Sequence, residues 1–78
     1  MAVTAYLLIQ TEVGKAAGVV GSIRAIDGVV SAEAATGPYD IIVKTEAADI
    51  DDLGKMVVSK IQAVDGITRT FTCPVVNL

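Results

Sequence analysis

At 78 residues the chain is read as one domain, residues 1–78, whose core is too small for a wide margin of stability, so association with further copies is expected. Six Lys plus Arg against nine Asp plus Glu leave a net charge of −3, which excludes the basic footprint of a direct nucleic-acid binder. The absence of His removes the usual general base and the commonest metal ligand, and the single Cys73 excludes an internal disulfide and any multi-cysteine metal site.

Val3 to Gln10 is apolar and β-branched with little alternation, as expected of a central strand covered on both faces. Its purest apolar run, Ala5 to Ile9, is far too short to cross a membrane, and no basic start or long apolar stretch suggests a signal peptide. The expected setting is the cytoplasm. Thr11 reads as the N-cap of a helix with Glu12 in its first turn, and Val13, Ala16, Ala17, Val20 and Ile23 share one helical face. Gly28 suits the C′ position that ends this helix.

Val29 to Ala35 and Ile41 to Thr45 read as strands joined by the turn Thr36-Gly37-Pro38-Tyr39-Asp40. Gly37 accepts a positive φ, Pro38 presets its own φ, and Asp40 can fold its carboxylate onto nearby amides. A connector alone has no need of Tyr39. Asp49 reads as the N-cap of a second helix with Ile50, Leu53, Val57, Ile61 and Val64 as its buried stripe. Asp51 and Asp52 suit the positive end of that helix dipole, Lys55 and Lys60 lie toward the other end, and Asp51 with Lys55 has ion-pair spacing. In the last strand, Ile67 to Val76, the residues Ile67, Arg69, Phe71, Cys73 and Val75 alternate with a threonine ladder of Thr68, Thr70 and Thr72.

Two short phrases recur. Gln10-Thr11-Glu12 returns as Lys44-Thr45-Glu46, and Ile26-Asp27-Gly28-Val29 returns as Val64-Asp65-Gly66-Ile67. The repeated unit is strand, helix, strand, which predicts an α+β, ferredoxin-like β-α-β-β-α-β fold: a four-stranded antiparallel sheet with two helices on one face. The first and third strands would be central. The other sheet face would lack cover within the chain, so Tyr6 and Leu8, or Leu7 and Ile9, would point toward a second copy packed face to face.

No nucleophile beside a base, no working pair of carboxylates and no metal constellation stands out, so no catalytic residue, metal or cofactor is assigned and the chain is read as a non-enzyme. A dimeric α/β-barrel enzyme that uses Tyr6 or Asp40 as acid or base is the less favoured alternative. The remaining polar groups suit binding. Gly37, Tyr39 and Asp40 offer amides, a hydroxyl and a carboxylate, and the threonines offer hydroxyls, the mixture that a zwitterion such as an amino acid requires.

In its order of Ile26-Asp27-Gly28-Val29, Thr36 to Asp40 leading into Ile41-Ile42-Val43, Asp49 and Leu53, then Asp65-Gly66-Ile67, Thr68, Thr70, Thr72 and Val75, the chain resembles the effector-binding (RAM) domain of the Lrp/AsnC family of transcription regulators. The resemblance implies dimers formed through sheet faces, octamers built as tetramers of dimers, and small effectors, commonly amino acids, held between dimers. By the same resemblance the effector-site residues are Gly37, Tyr39 and Asp40 from the loop, with Thr70 and Thr72 contributed by a neighbouring chain. No helix-turn-helix precedes the first strand, so the expectation is a stand-alone form that senses an effector, or a structural module that co-assembles with full-length regulators without binding ligand itself.

Overall fold

The computed structural model describes residues 2–77, apart from the side chains of residues 56 and 57. Strand β1 (Val3–Thr11) leads to helix α1 (Ala16–Arg24), strands β2 (Val29–Ala34) and β3 (Ile41–Ala47), helix α2 and strand β4 (Ile67–Pro74). Helix α2 runs in three segments, α-helical over Ile50–Asp52, π-helical over Leu53–Val58 and α-helical over Ser59–Gln62. The strands form one antiparallel sheet in the order β2-β3-β1-β4, the expected ferredoxin-like α+β topology with β1 and β3 in the centre. Among the described residues no helix is long and apolar enough to cross a membrane.

The core lies between the helices and one sheet face. Ala5, Leu7 and Ile9 of β1, Ile41 and Val43 of β3 and Ala32 of β2 meet Val19, Val20 and Ile23 of α1 and Leu53 and Ile61 of α2, all of them buried. Thr45 joins them because its hydroxyl donates to the Ala5 carbonyl at 3.0 Å, so no polar atom is left unpaired there. Paired residues of an antiparallel sheet point to the same side, so the register assigns Tyr6, Leu8, Ile42, Phe71 and Cys73 to the opposite face. Tyr6, Ile42 and Phe71 are each about 40% exposed there, at 40%, 41% and 40%. Of the two sheet-face alternatives, Tyr6 and Leu8 are therefore the outward pair, while Leu7 and Ile9 are core.

The repeated phrases bind each other crosswise. The Glu12 amide donates to the Gly66 carbonyl at 2.8 Å, and the Glu46 amide donates to the Gly28 carbonyl at 2.8 Å. Each exit from a central strand is thus tied to the turn that opens the edge strand beside it. Both edge strands also carry a register shift just after that turn, between Val29 and Ser31 in β2 and opposite Gln10 and Thr11 in β4. The free edge of β2 is partly closed by Arg24, whose Nε and Nη2 both donate to the Ala32 carbonyl, at 2.9 and 2.7 Å.

Several local expectations are corrected. Thr11 is not a helix cap: it stays in β1, paired with Ile67, and the Glu12-to-Lys15 turn that follows delays α1 until Ala16, with Lys15 as an N-cap that makes no side-chain bond. Glu12 therefore precedes the first turn, and the helical face changes phase, so Val19 joins Val20 and Ile23 in the core while Val13 and Ala17 are exposed. Gly28 is not at C′ either; the cap is Ala25, and Gly28, at φ 97°, shapes the turn into β2. In α2 Asp49 does cap, its Oδ1 accepting the Asp52 amide at 2.8 Å, but Ile50 is 57% exposed. The wider π turn after it replaces i,i+4 spacing, and Asp51 and Lys55 form no ion pair among the described residues. Leu53 and Ile61 are buried and Val64 is packed against the core, while the side chain of Val57 lies outside the described residues. In β4 the register shift breaks the alternation, so Ile67 packs on the core while Arg69 and Phe71 follow the outer face.

Gly66 illustrates how closely the turns are packed. Its φ is 101°, and a Cβ there would meet Val19 Cγ2 at 3.0 Å and Lys15 Cβ at 3.2 Å. Gly21, inside α1, has open space around it. Chemical denaturation is expected to show Gly66→Ala destabilised by about 2 kcal/mol or more. Gly21→Ala should gain roughly 0.5–1 kcal/mol.

Candidate functional site

The turn after β2 is held by β1. The Asp40 amide donates to the Ile9 carbonyl at 2.8 Å, and the Ala35 amide donates to the Asp40 carbonyl at 2.9 Å, closing the loop at its base. The Gln10 side-chain amide donates to the Pro38 carbonyl at 3.0 Å. Asp40 Oδ2 accepts the Thr11 amide at 2.8 Å, the backbone group that would otherwise have begun a helix. Gly37 carries φ 130° with no heavy atom near its missing Cβ, so the loop tip is shaped by backbone freedom rather than by packing.

Tyr39 crosses toward β4. Its ring meets Phe71 edge-on, with centroids 5.8 Å apart and an interplanar angle of 74°. The Arg69 guanidinium carbon lies 5.6 Å from the same Phe71 centroid. Arg69 is the cross-strand partner of Gln10, and Gln10 in turn holds the loop at Pro38. The outer face near this end of the sheet thus carries a chain of contacts from the loop to an arginine.

Of the residues expected in a site, Gly37, Tyr39 and Asp40 lie together in the loop. Thr70 pairs with Ile9, so it and Asp40 flank the same residue of β1 from opposite sides, about 10 Å apart at two strand spacings. Sharing register with Ile9 and Leu7, however, Thr70 and Thr72 sit on the helix side of β4. There the Gln62 side-chain amide donates to Thr70 Oγ1 at 3.3 Å, beside a groove of about 260 Å³ lined by Gln62, Ile67, Thr68, Arg69 and Thr70. Within one chain, then, the loop and Thr70 share an end of the sheet without sharing a pocket.

Three residues of this cluster, Gln10, Arg69 and Phe71, were not singled out from the sequence. A signal existed: with one Phe and two Tyr in the chain, a loop tyrosine in need of an aromatic neighbour has few choices. Chemically, the loop offers a phenol O–H, exposed amides around Gly37 and the Asp40 carboxylate, of which Oδ2 is engaged by Thr11. Among the described residues no cluster of His, Cys, Asp or Glu is arranged to hold a metal ion.

A family model described as the Lrp/AsnC ligand binding domain matches residues 4–77. Protein PHS023 of Pyrococcus horikoshii has a solved structure similar to this chain, with TM-score 0.87 and 32% identity over 100% of this chain and 93% of that one. The structure of E. coli AsnC is similar at TM-score 0.88 and 27% identity, over 97% of this chain and 52% of AsnC. An uncharacterized helix-turn-helix-type transcriptional regulator of Pyrococcus furiosus, PF0250, is 34% identical over 50 residues, which cover 64% of this chain and 33% of that protein. The chain therefore spans about a third of the curated relative it matches, at 33%.

Because Asp40 accepts a backbone amide, its loss has a structural cost that is separate from any ligand. Asp40→Ala is expected to lower stability by about 1.5–3 kcal/mol and to speed amide exchange at Thr11, since it removes a charge-assisted hydrogen bond. Asp40→Asn keeps an acceptor oxygen and should lose less. Denaturation curves with residue-resolved exchange measure both.

Proposed function

The chain belongs to the Lrp/AsnC ligand-binding domain family, and from that premise we propose that it is a non-enzymatic module that binds a small effector, an amino acid, as an oligomer of its own kind. The observation that carries this reading is the coincidence of an uncovered apolar sheet face with a polar loop at its end. Tyr6, Leu8, Ile42 and Phe71 supply a surface that a second copy would cover by face-to-face packing, with a gain proportional to the apolar area buried. The loop supplies the Gly37 amide and the Tyr39 hydroxyl for a carboxylate, and the Asp40 carboxylate for an ammonium.

Thr70 and Thr72 enter the same reading from a different copy. They lie on the side of β4 away from the Tyr39–Phe71 contact, so a ligand touching both sets has to sit between chains. Further assembly of dimers, up to an octamer, is the arrangement this predicts.

A second reading is that the module also assembles with DNA-binding relatives. The similarity to about half of AsnC supports it, because the shared half is the part that would pair. Mixing this chain with a purified helix-turn-helix relative and measuring native mass tests it, with a mixed species expected.

The effector reading is tested by melting curves of the assembled protein against the twenty L-amino acids. At least one is expected to stabilise it, by about 2.7 kcal/mol at a hundredfold excess over Kd. Tyr39→Ala should abolish that shift while keeping its fold and mass. A correctly assembled oligomer that responds to none of the twenty contradicts the effector reading.

A further inference from the structure

Building on that reading of the loop as an effector site, we propose that Arg69 supplies the positive charge that recognises the effector's carboxylate, beside the neutral N–H and O–H donors of Gly37 and Tyr39. Two independent sets of contacts tie it to the loop. One runs through Phe71, which carries the Arg69 guanidinium at 5.6 Å and the Tyr39 ring at 5.8 Å. The other runs through Gln10, the cross-strand partner of Arg69, whose amide donates to Pro38 at 3.0 Å.

The remaining cations are placed elsewhere. Arg24 is engaged by the Ala32 carbonyl and lies 3.6 Å from Glu33, Lys44 stands opposite Tyr6 along the sheet, and Lys15 precedes α1 beside Gly66. Lys55 and Lys60 belong to α2. Arg69 forms no ion pair with a carboxylate among the described residues. An arginine held against an aromatic ring keeps its N–H edge free for a two-pronged bond to a carboxylate, which a lysine cannot reproduce.

Assembly makes the need for an anion sharper. Arg69 lies on the face that a second copy would cover, and a cation moved out of water without a counter-charge is costly. An amino acid whose carboxylate meets Arg69 and whose ammonium meets Asp40 places both of its charges against opposite ones. The same partial removal of water strengthens each contact.

The test compares each L-amino acid with its carboxamide, which keeps the ammonium and removes the negative charge. Binding is read by melting curves and calorimetry, and mass by light scattering. Wild type is expected to prefer the acid to the amide by at least about tenfold, the size of a lost charge-assisted bond. Arg69→Gln should remove most of that preference by weakening the acid alone, and Arg69→Lys should keep more of it. If Arg69→Gln assembles incorrectly, wild type against Arg69→Lys still decides: equal affinity of wild type for acid and amide, or an undiminished preference in Arg69→Lys, overturns the proposal. Acid binding that survives Arg69→Gln unchanged overturns the role of Arg69 and leaves the effector site standing, whereas a wild type that binds no amino acid removes both.

Discussion

A four-stranded sheet has two faces, and this chain has helices for one of them. That single constraint organises the rest of the molecule. Ala5, Leu7, Ile9, Ile41 and Val43 are driven to the helix side, and with strict two-residue alternation Tyr6, Leu8 and Ile42 have to emerge on the other. A domain of 78 residues gains little margin from one small core, so an apolar face left outside is a liability, and under the proposed function it is the surface used for assembly. The β2 edge is handled differently: Arg24 occupies its Ala32 carbonyl, which disfavours strand addition there and leaves the face as the broader apolar surface.

The loop and the sheet face are one structure rather than two. Asp40 is seated on Ile9 and Thr11 of the central strand, Gln10 of the same strand holds Pro38, and Tyr39 reaches over to Phe71 of the edge strand. Under the proposed function, a change in how the face is covered would act on the loop through Phe71, and a ligand on the loop would act back on the face. Reciprocity of that kind is required by thermodynamics once both sites prefer the same arrangement.

The topology was legible in the sequence because it rests on repetition. The phrases around Asp27-Gly28 and Asp65-Gly66 mark the same turn twice, each with a glycine at positive φ whose carbonyl accepts the crossed bond from Glu46 or Glu12. Where reading by residue preference failed, a longer-range partner had taken the group in question. Thr11 has the chemistry of a cap, but its amide is claimed by Asp40 and its strand pairing by Ile67, so the helix waits until Ala16. Ile50 fits a helical stripe until the π turn over Leu53–Val58 alters the phase. Tyr39 and Asp40 were visible as polar groups without an evident local role, while Arg69 and Phe71 were hidden because an alternating strand looks the same whichever face its partner occupies. Only the register with β1 assigns them to the open side, with the loop.

On the proposed function, an amino acid binds to an assembled form, between copies, and not to the single chain. Calorimetric titration of one active amino acid at protein concentrations well below and well above the dissociation constant of the oligomer, with mass followed in parallel, tests it most directly. Affinity is expected to rise with the fraction assembled, and saturating ligand is expected to lower the concentration at which assembly occurs. Equal affinity for monomer and oligomer, with no effect of ligand on mass, would contradict it.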